Sequence, residues 1–242
     1  MGRTVSSLCL LIALGNSVMY RGQETPRKNR SAESEGWTNA FTVDESKFQT
    51  SGRNPNFILQ PGYQLILEGE DHGAKVRLTI TVLRETKKIG NVQTRGVEEK
   101  ETENGELIEV SKNYFAIYTP TNSVFYFGED VDIYRSGRVV GHSGSWQAGV
   151  MRARFGLMMP GTIRVGEKYF QEIAPGIAMD RAEIISAQEA IKTPLGEFLG
   201  CIKVEETTPL EPKNKEYKFY APGIGLVRDG SLWLTRYGFQ KQ

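Results

Sequence analysis

Three carboxylates, Glu129, Glu172 and Asp180, stand in runs that otherwise read as strands with apolar neighbours. A carboxylate on an apolar face is costly unless it is paired, protonated or bound to something. Such residues therefore mark a ligand site or a set of structural ion pairs. In residues 125–132 (FYFGEDVD), an unbroken strand puts Phe125, Phe127, Glu129 and Val131 on one face, and Asp130 and Asp132 on the other. The competing reading makes Gly128, Glu129 and Asp130 a turn, with Glu129, Asp130 and Asp132 all in water. In residues 168–185, a three-residue loop at Pro175, Gly176 and Ile177 sets Glu172 against Asp180 and Phe170 against Ala182. Two carboxyls side by side push one pKa up, so such a pair needs a cation or a shared proton. A two-residue loop at Pro175 and Gly176 would set Glu172 against Met179 instead, so the expectation rests on one register.

His142 lies in GHSGSW, between glycine turns and shortly before Trp146. It is a candidate base or ligand beside the acids, with a surface-loop histidine as the alternative. Glu129, Asp130 and Asp132 offer oxygens to calcium but lack the spacing of an EF-hand loop. No HExxH or CxxC spacing marks a zinc site, and no metal or cofactor is assigned. There is no GxSxG elbow, no Walker loop and no dinucleotide fingerprint after a strand. Catalytic residues are therefore unassigned. The candidate ligand-binding set is Phe125, Phe127, Glu129, His142, Trp146, Phe170, Glu172 and Asp180.

The elements that must position these residues are strands. Residues 75–83 alternate strictly, with Val76, Leu78, Ile80 and Val82 against Lys75, Arg77, Thr79 and Thr81. Asp71, His72 and Gly73 before them read as a hairpin loop. Residues 89–98 and 107–119 are further strands, and the charge-rich stretch 98–103 reads as a solvated hairpin tip. Helical signals are scarce. Residues 181–191 fit two helical turns or a strand, and from Gly196 onward alternation returns. The prediction is a mainly β fold in one domain, residues 37–242. It is a strongly curved antiparallel sheet, either an open half-barrel or a closed barrel, with little helix.

The chain has 242 residues, 30 basic against 29 acidic. That balance argues against a nucleic-acid binder, which shows a basic stripe. The basic residues between 21 and 30 fall in a polar stretch that reads as a solvated linker. Residues 1–15 carry one positive charge, the apolar run 8–14 and a small-x-small site, which predicts a secretory signal, followed by a disordered linker over 16–36. The expected location is periplasmic or extracellular. The apolar run is far below the roughly 20 residues that span a bilayer, so no transmembrane segment is expected. With Cys9 removed, Cys201 would be alone, in a strand-like run that predicts a buried, inert thiol.

A wider pattern carries a resemblance. It comprises VFYFGE ending at Glu129, GSW ending at Trp146, YxQE ending at Glu172, AxD ending at Asp180, TPLGEF ending at Phe198, TPLEP ending at Pro212 and KFYAPGIGLV ending at Val227. This set resembles a group of bacterial secreted proteins of uncharacterised function, over roughly residues 57–227. The C-terminal portion is similar to domains related to the periplasmic lipoprotein carriers. That resemblance implies a curved β half-barrel holding acyl chains in a greasy concavity; it carries no catalytic residues over. Phe125 stands where the group is expected to have tryptophan.

The leading expectation is an exported, non-enzymatic domain that binds a small-molecule or lipid-like ligand in a concave sheet face. The alternatives are an acid–base hydrolase working with two of the carboxylates, and a structural or cell-surface interaction module. The oligomeric state is not legible in the sequence.

Overall fold

The computed structural model describes residues 36–240. The expected signal sequence and nearly all of the expected linker lie outside the described residues. Helix is limited, among the described residues, to one 3-10 turn, Glu45–Lys47.

The strands run in chain order as β1 (Phe48–Gln49), β2 (Gly52–Asn54), β3 (Phe57–Leu59), β4 (Tyr63–Asp71), β5 (Ala74–Ile89) and β6 (Val92–Glu103). Next come β7 (Glu106–Tyr118), β8 (Ser123–Arg135), β9 (Arg138–Gly141), β10 (Trp146–Gln147), β11 (Arg154–Met159) and β12 (Lys168–Phe170). The chain finishes with β13 (Glu172–Ile173), β14 (Arg181–Thr193), β15 (Gly196–Thr207), β16 (Lys215–Ala221), β17 (Gly225–Asp229) and β18 (Leu232–Phe239). All but β2 and β3 belong to one antiparallel sheet, ordered β12-β14-β15-β16-β17-β18-β4-β5-β6-β7-β8-β11-β13. The expected curved β fold is thus present as a nearly closed barrel. Residues 181–193 are strand, not helix.

Local chemistry explains the hairpins. His72–Gly73, Asn104–Gly105 and Ser136–Gly137 are two-residue turns with both φ angles positive, for example 47° and 84° in the first. That geometry matches the twist of the strands it joins. In β5, Val76, Leu78 and Val82 are buried, as the alternation predicts.

Closure is made by one short segment. β12 and β13 are the two ends of the sheet order, yet only Gln171 separates them in the chain. Residues 168–170 pair with β14 on one edge, and residues 172–173 pair with β11 on the other. The three-residue loop at Pro175–Ile177 is present, closed by an Ala174–Ala178 bridge. Beyond it the register slips by one: Tyr169 faces Ala182 and Phe170 faces Arg181, so the expected Phe170–Ala182 pair does not form. The slip comes from Glu172. Its Oε1 accepts the Asp180 amide at 2.6 Å, while Asp180 O accepts from Gln171 N at 2.8 Å. A side-chain oxygen thus takes the Asp180 N–H, and the Glu172 backbone pairs with Phe155 of β11. Gly156 lets the segment pass, because a Cβ there would lie 2.4 Å from the carbonyl oxygens of Phe170 and Gln171.

A second irregularity decides which side chains face in. Asn113 pairs with Glu129 and Tyr114 with Gly128, but Phe115 pairs with Tyr126. One extra residue, Phe127, is bulged out of β8. Tyr126 therefore joins Glu129 on the inner face, and Phe125 and Phe127 turn outward. Outside they meet Phe41, Phe48 and Phe155 edge to face or stacked, with centroids 4.9–5.9 Å apart. The segment carrying Phe41 and β1 packs over this outer patch.

Candidate functional site: a carboxylate-lined barrel interior

Cross-strand pairing places a layer of acids on the inner face. Glu101 pairs with Glu109, Glu99 with Ser111, and Asn113 with Glu129, from β6 through β7 to β8. On the opposite wall Glu206 pairs with Ala182 and with Glu216, and Lys218 pairs with Asp229. Glu99, Glu101, Glu109, Glu129, Glu172, Glu206 and Asp229 are all buried, Glu129, Glu172 and Asp229 with no exposed area. Their buried cation is Lys218, whose Nζ lies 2.7 Å from Glu206 Oε2 and 3.9 Å from Asp229 Oδ2. The other buried cation among the described residues, Arg95, is spent on the carbonyls of Thr50 and Arg84.

Acids so crowded cannot all ionise, and the interior answers by holding protons. Burial, with Glu109 and Asp229 adding repulsion, raises Glu101 to about 9. Burial raises Glu99 to about 8 even though Lys218 opposes it. Glu129 is pushed well above the carboxylate range by burial and then by Glu109 and Glu99. Glu172 is raised likewise by burial and then by Asp180. Asp180 rises to about 7 through burial and Glu206, and half-buried Glu216 rises to about 7 through burial. Burial works against the Lys218 charge, but Asp229 and Glu206 outweigh it and raise the ammonium pKa further.

Hydrogen bonding is only partly satisfied. Gln171 Nε2 donates to Glu206 Oε1 at 2.9 Å, and Asn113 Oδ1 accepts from the Tyr126 hydroxyl. Both oxygens of Glu99, both of Glu129, Glu101 Oε2 and Trp146 Nε1 are buried without a hydrogen-bond partner among the described residues. The Ser111 and Tyr126 hydroxyls approach Glu129 and favour its charged form, yet neither closes a bond of good geometry.

Of the candidates from sequence, the structure brings Glu129, Trp146, Glu172 and Asp180 to this interior. Trp146 pairs across the sheet with Glu129 and sets its ring edge-on to Tyr126 at 5.0 Å. Phe125 and Phe127 are corrected to the outer face by the bulge. Phe170 shares its face with Arg181, under Trp37 at 6.3 Å, and does not line the interior. His142 is exposed and contacts Asp132 Oδ1 at 2.8 Å, away from the acid layer. Asp130 is also outside, taken by Tyr114 OH at 2.7 Å and Lys87 at 3.0 Å. Glu129, Asp130 and Asp132 thus do not converge on one ion, and no cluster among the described residues has metal-holding geometry. Cys201 is buried, and burial raises its thiol to about 11, as expected of an inert side chain.

Sequence reasoning missed Glu99, Glu101, Glu109, Glu206, Lys218 and Asp229. Residues 98–103 are not a hairpin tip in water but the last half of β6, with Glu99 and Glu101 inside.

Two hollows adjoin the acid layer. At one end, between the β6–β7 and β8–β9 hairpins, a concavity of about 550 Å³ is lined by Glu103, Glu106, Glu109, Ile133, Tyr134 and Arg135 among others. Toward the other end, a cavity of about 40 Å³ sits between Glu99 and the turn carrying Ile224. No helix among the described residues is long and apolar enough to cross a membrane. No family model, curated protein or solved structure matches the chain.

Proposed function

We propose that this is an exported, non-enzymatic binding domain that takes a small organic cation at the barrel end lined by Glu103, Glu106 and Glu109. The observation that carries the reading is the charge imbalance: carboxylates continue from that rim to Glu101, Glu99 and Glu129, against Arg135 at the rim and one buried lysine among the described residues. A concavity of about 550 Å³ falls within the ~300–1,000 Å³ of small-molecule sites. A cation settling there relieves the repulsion that keeps the acids protonated. A lipid-like guest is less well served, because the cavity beside Glu99 measures only about 40 Å³. A hydrolase would need two carboxyls flanking an open cleft. Glu172 instead accepts the Asp180 backbone amide and closes the sheet.

The test is calorimetric titration with spermidine and with oleate, on the wild type and on Glu106→Gln/Glu109→Gln. Saturable spermidine binding that weakens with salt, and at least tenfold in the variant, supports the proposal. Oleate binding in its place, or binding of neither probe, overturns it.

A further inference from the structure

The cavity beside Glu99 is a different place with a different chemistry. It lies toward the end opposite the Glu103–Glu109 concavity, since β6 runs from Val92 at one end to Glu103 at the other. Its walls are apolar, with Phe57, Tyr63, Leu65, Val82, Val97 and Leu226 around it. Phe57 and Ile224 are half-buried at its rim, and the Tyr63 hydroxyl braces that rim by donating to Ile224 O at 2.9 Å. Four polar side chains line it: Glu99 and Asn56, each 3% exposed, and the hydroxyl-bearing Tyr63 and Tyr220.

With Glu99 ionised, the cavity's polar atoms that lack a partner among the described residues are all acceptors. Both oxygens of Glu99 and Oδ1 of Asn56 are buried without a hydrogen-bond partner. A buried polar atom without a partner costs free energy, and the group that relieves acceptors must bring donors. A hydroxyl brings one donor and a carboxylate none, whereas a primary ammonium brings three and accepts nothing. The charged groups nearest Glu99 are Lys218, Asp229, Glu109 and Glu206, three acids against one base, which favours a cationic guest over an anionic one. A volume of about 40 Å³ admits roughly three water-sized centres, enough for an ammonium and the first one or two methylenes of its stem, the rest of which reaches the half-buried rim at Phe57 and Ile224.

We propose that this cavity is a second binding site, specific for the terminal ammonium of an unbranched primary alkylamine, with Glu99 and Asn56 receiving the head and the Phe57–Leu226 walls the stem. The site does not depend on the Glu103–Glu109 concavity, and either can fail alone. Because Glu99 holds its proton at neutral pH, an entering ammonium pairs with the carboxylate and that proton leaves to solvent.

Calorimetry with n-butylamine at neutral pH, in phosphate and in Tris, tests this on the wild type and on Glu99→Gln. The isosteric variant removes a buried acid and keeps the shape. The expected result is one saturable site on the wild type, with close to one proton released per amine. In Glu99→Gln the affinity falls at least tenfold and the proton release disappears. n-Butanol binds at least tenfold more weakly than the amine. Equal binding of butanol, unchanged butylamine affinity in Glu99→Gln, or binding without proton release would each overturn the proposal. Spermidine binding that survives Glu99→Gln belongs to the other concavity.

Discussion

Raising the pH from about 5 to about 8 is expected to destabilise this fold, the reverse of what surface salt bridges produce on acidification. The interior acids set the sign. Their folded pKa values are raised above the ordinary carboxylate values, 3.8 for aspartate and 4.5 for glutamate: Asp180 and Glu216 to about 7, Glu99 to about 8 and Glu101 to about 9. Above the ordinary values the unfolded chain sheds these protons while the folded chain keeps them, so folding takes protons up. Stability is full below those values and drains away as pH climbs through the folded values. Each retained proton costs about 1.4 kcal/mol per pH unit. Four independent protons would cost about 5 kcal/mol per unit, against a whole-domain stability of ~5–15 kcal/mol. The acids repel one another and so are not independent: Glu109 and Asp229 act on both Glu99 and Glu101. One net proton is therefore the minimum expected, a loss of about 2–3 kcal/mol between pH 6 and 8. Neighbouring shifts do not mask it. Asp44, lowered by the Ser46 hydroxyl and amide, acts below this window, and Lys218, raised, acts above it. Urea denaturation at constant ionic strength across the window reads the slope. Glu99→Gln should flatten it by about one proton. Stability that is level or rising from pH 5 to 8, or an unchanged slope in Glu99→Gln, would refute the reasoning.

Two further perturbations probe the walls of the interior. Lys218→Met leaves Glu206 and Asp229 without their buried cation, and losing one partner of a buried ion pair costs roughly 3–5 kcal/mol. Denaturant unfolding should show that loss, and Glu206→Gln added to it should return part; a strictly additive double variant would mean the pair is not coupled. At the seam, Glu172→Gln keeps a side-chain oxygen for the Asp180 amide, whereas Glu172→Ala leaves that amide without an acceptor and costs about 1–3 kcal/mol. Hydrogen exchange over residues 168–182 should quicken in the alanine variant and stay slow in the glutamine one. Equal protection in both would sink the closing role of Glu172.

What the sequence made legible follows from contrast between faces. Residues 75–83 alternate apolar with polar, so their face assignment could be read directly, as could the glycine turns that join the strands. The three-residue loop at Pro175–Ile177 was one of two readings the sequence left open, and the cross-strand Glu172–Asp180 pair expected from it does not form: Glu172 meets Asp180 only through its side chain. Pattern failed in two physical circumstances. A bulge adds one residue without changing composition, so parity carried Phe125 and Phe127 inward when the chain turns them out. In residues 97–103 (VEEKETE) the contrast itself vanishes: Glu99 and Glu101 lie inside, Glu98 and Lys100 outside, and both faces look polar. The usable signal was on the partner strand, where Glu109, Ser111 and Asn113 alternate with Val110 and Lys112 and leave no apolar face to bury. Two adjacent strands that both lack an apolar inner face can pack only if their carboxyls are neutral or neutralised. Charge in this interior is therefore conditional. It is suppressed by protons when the barrel stands alone, and its full expression requires either a rise in pH, which strains the fold, or a cation, which relieves it.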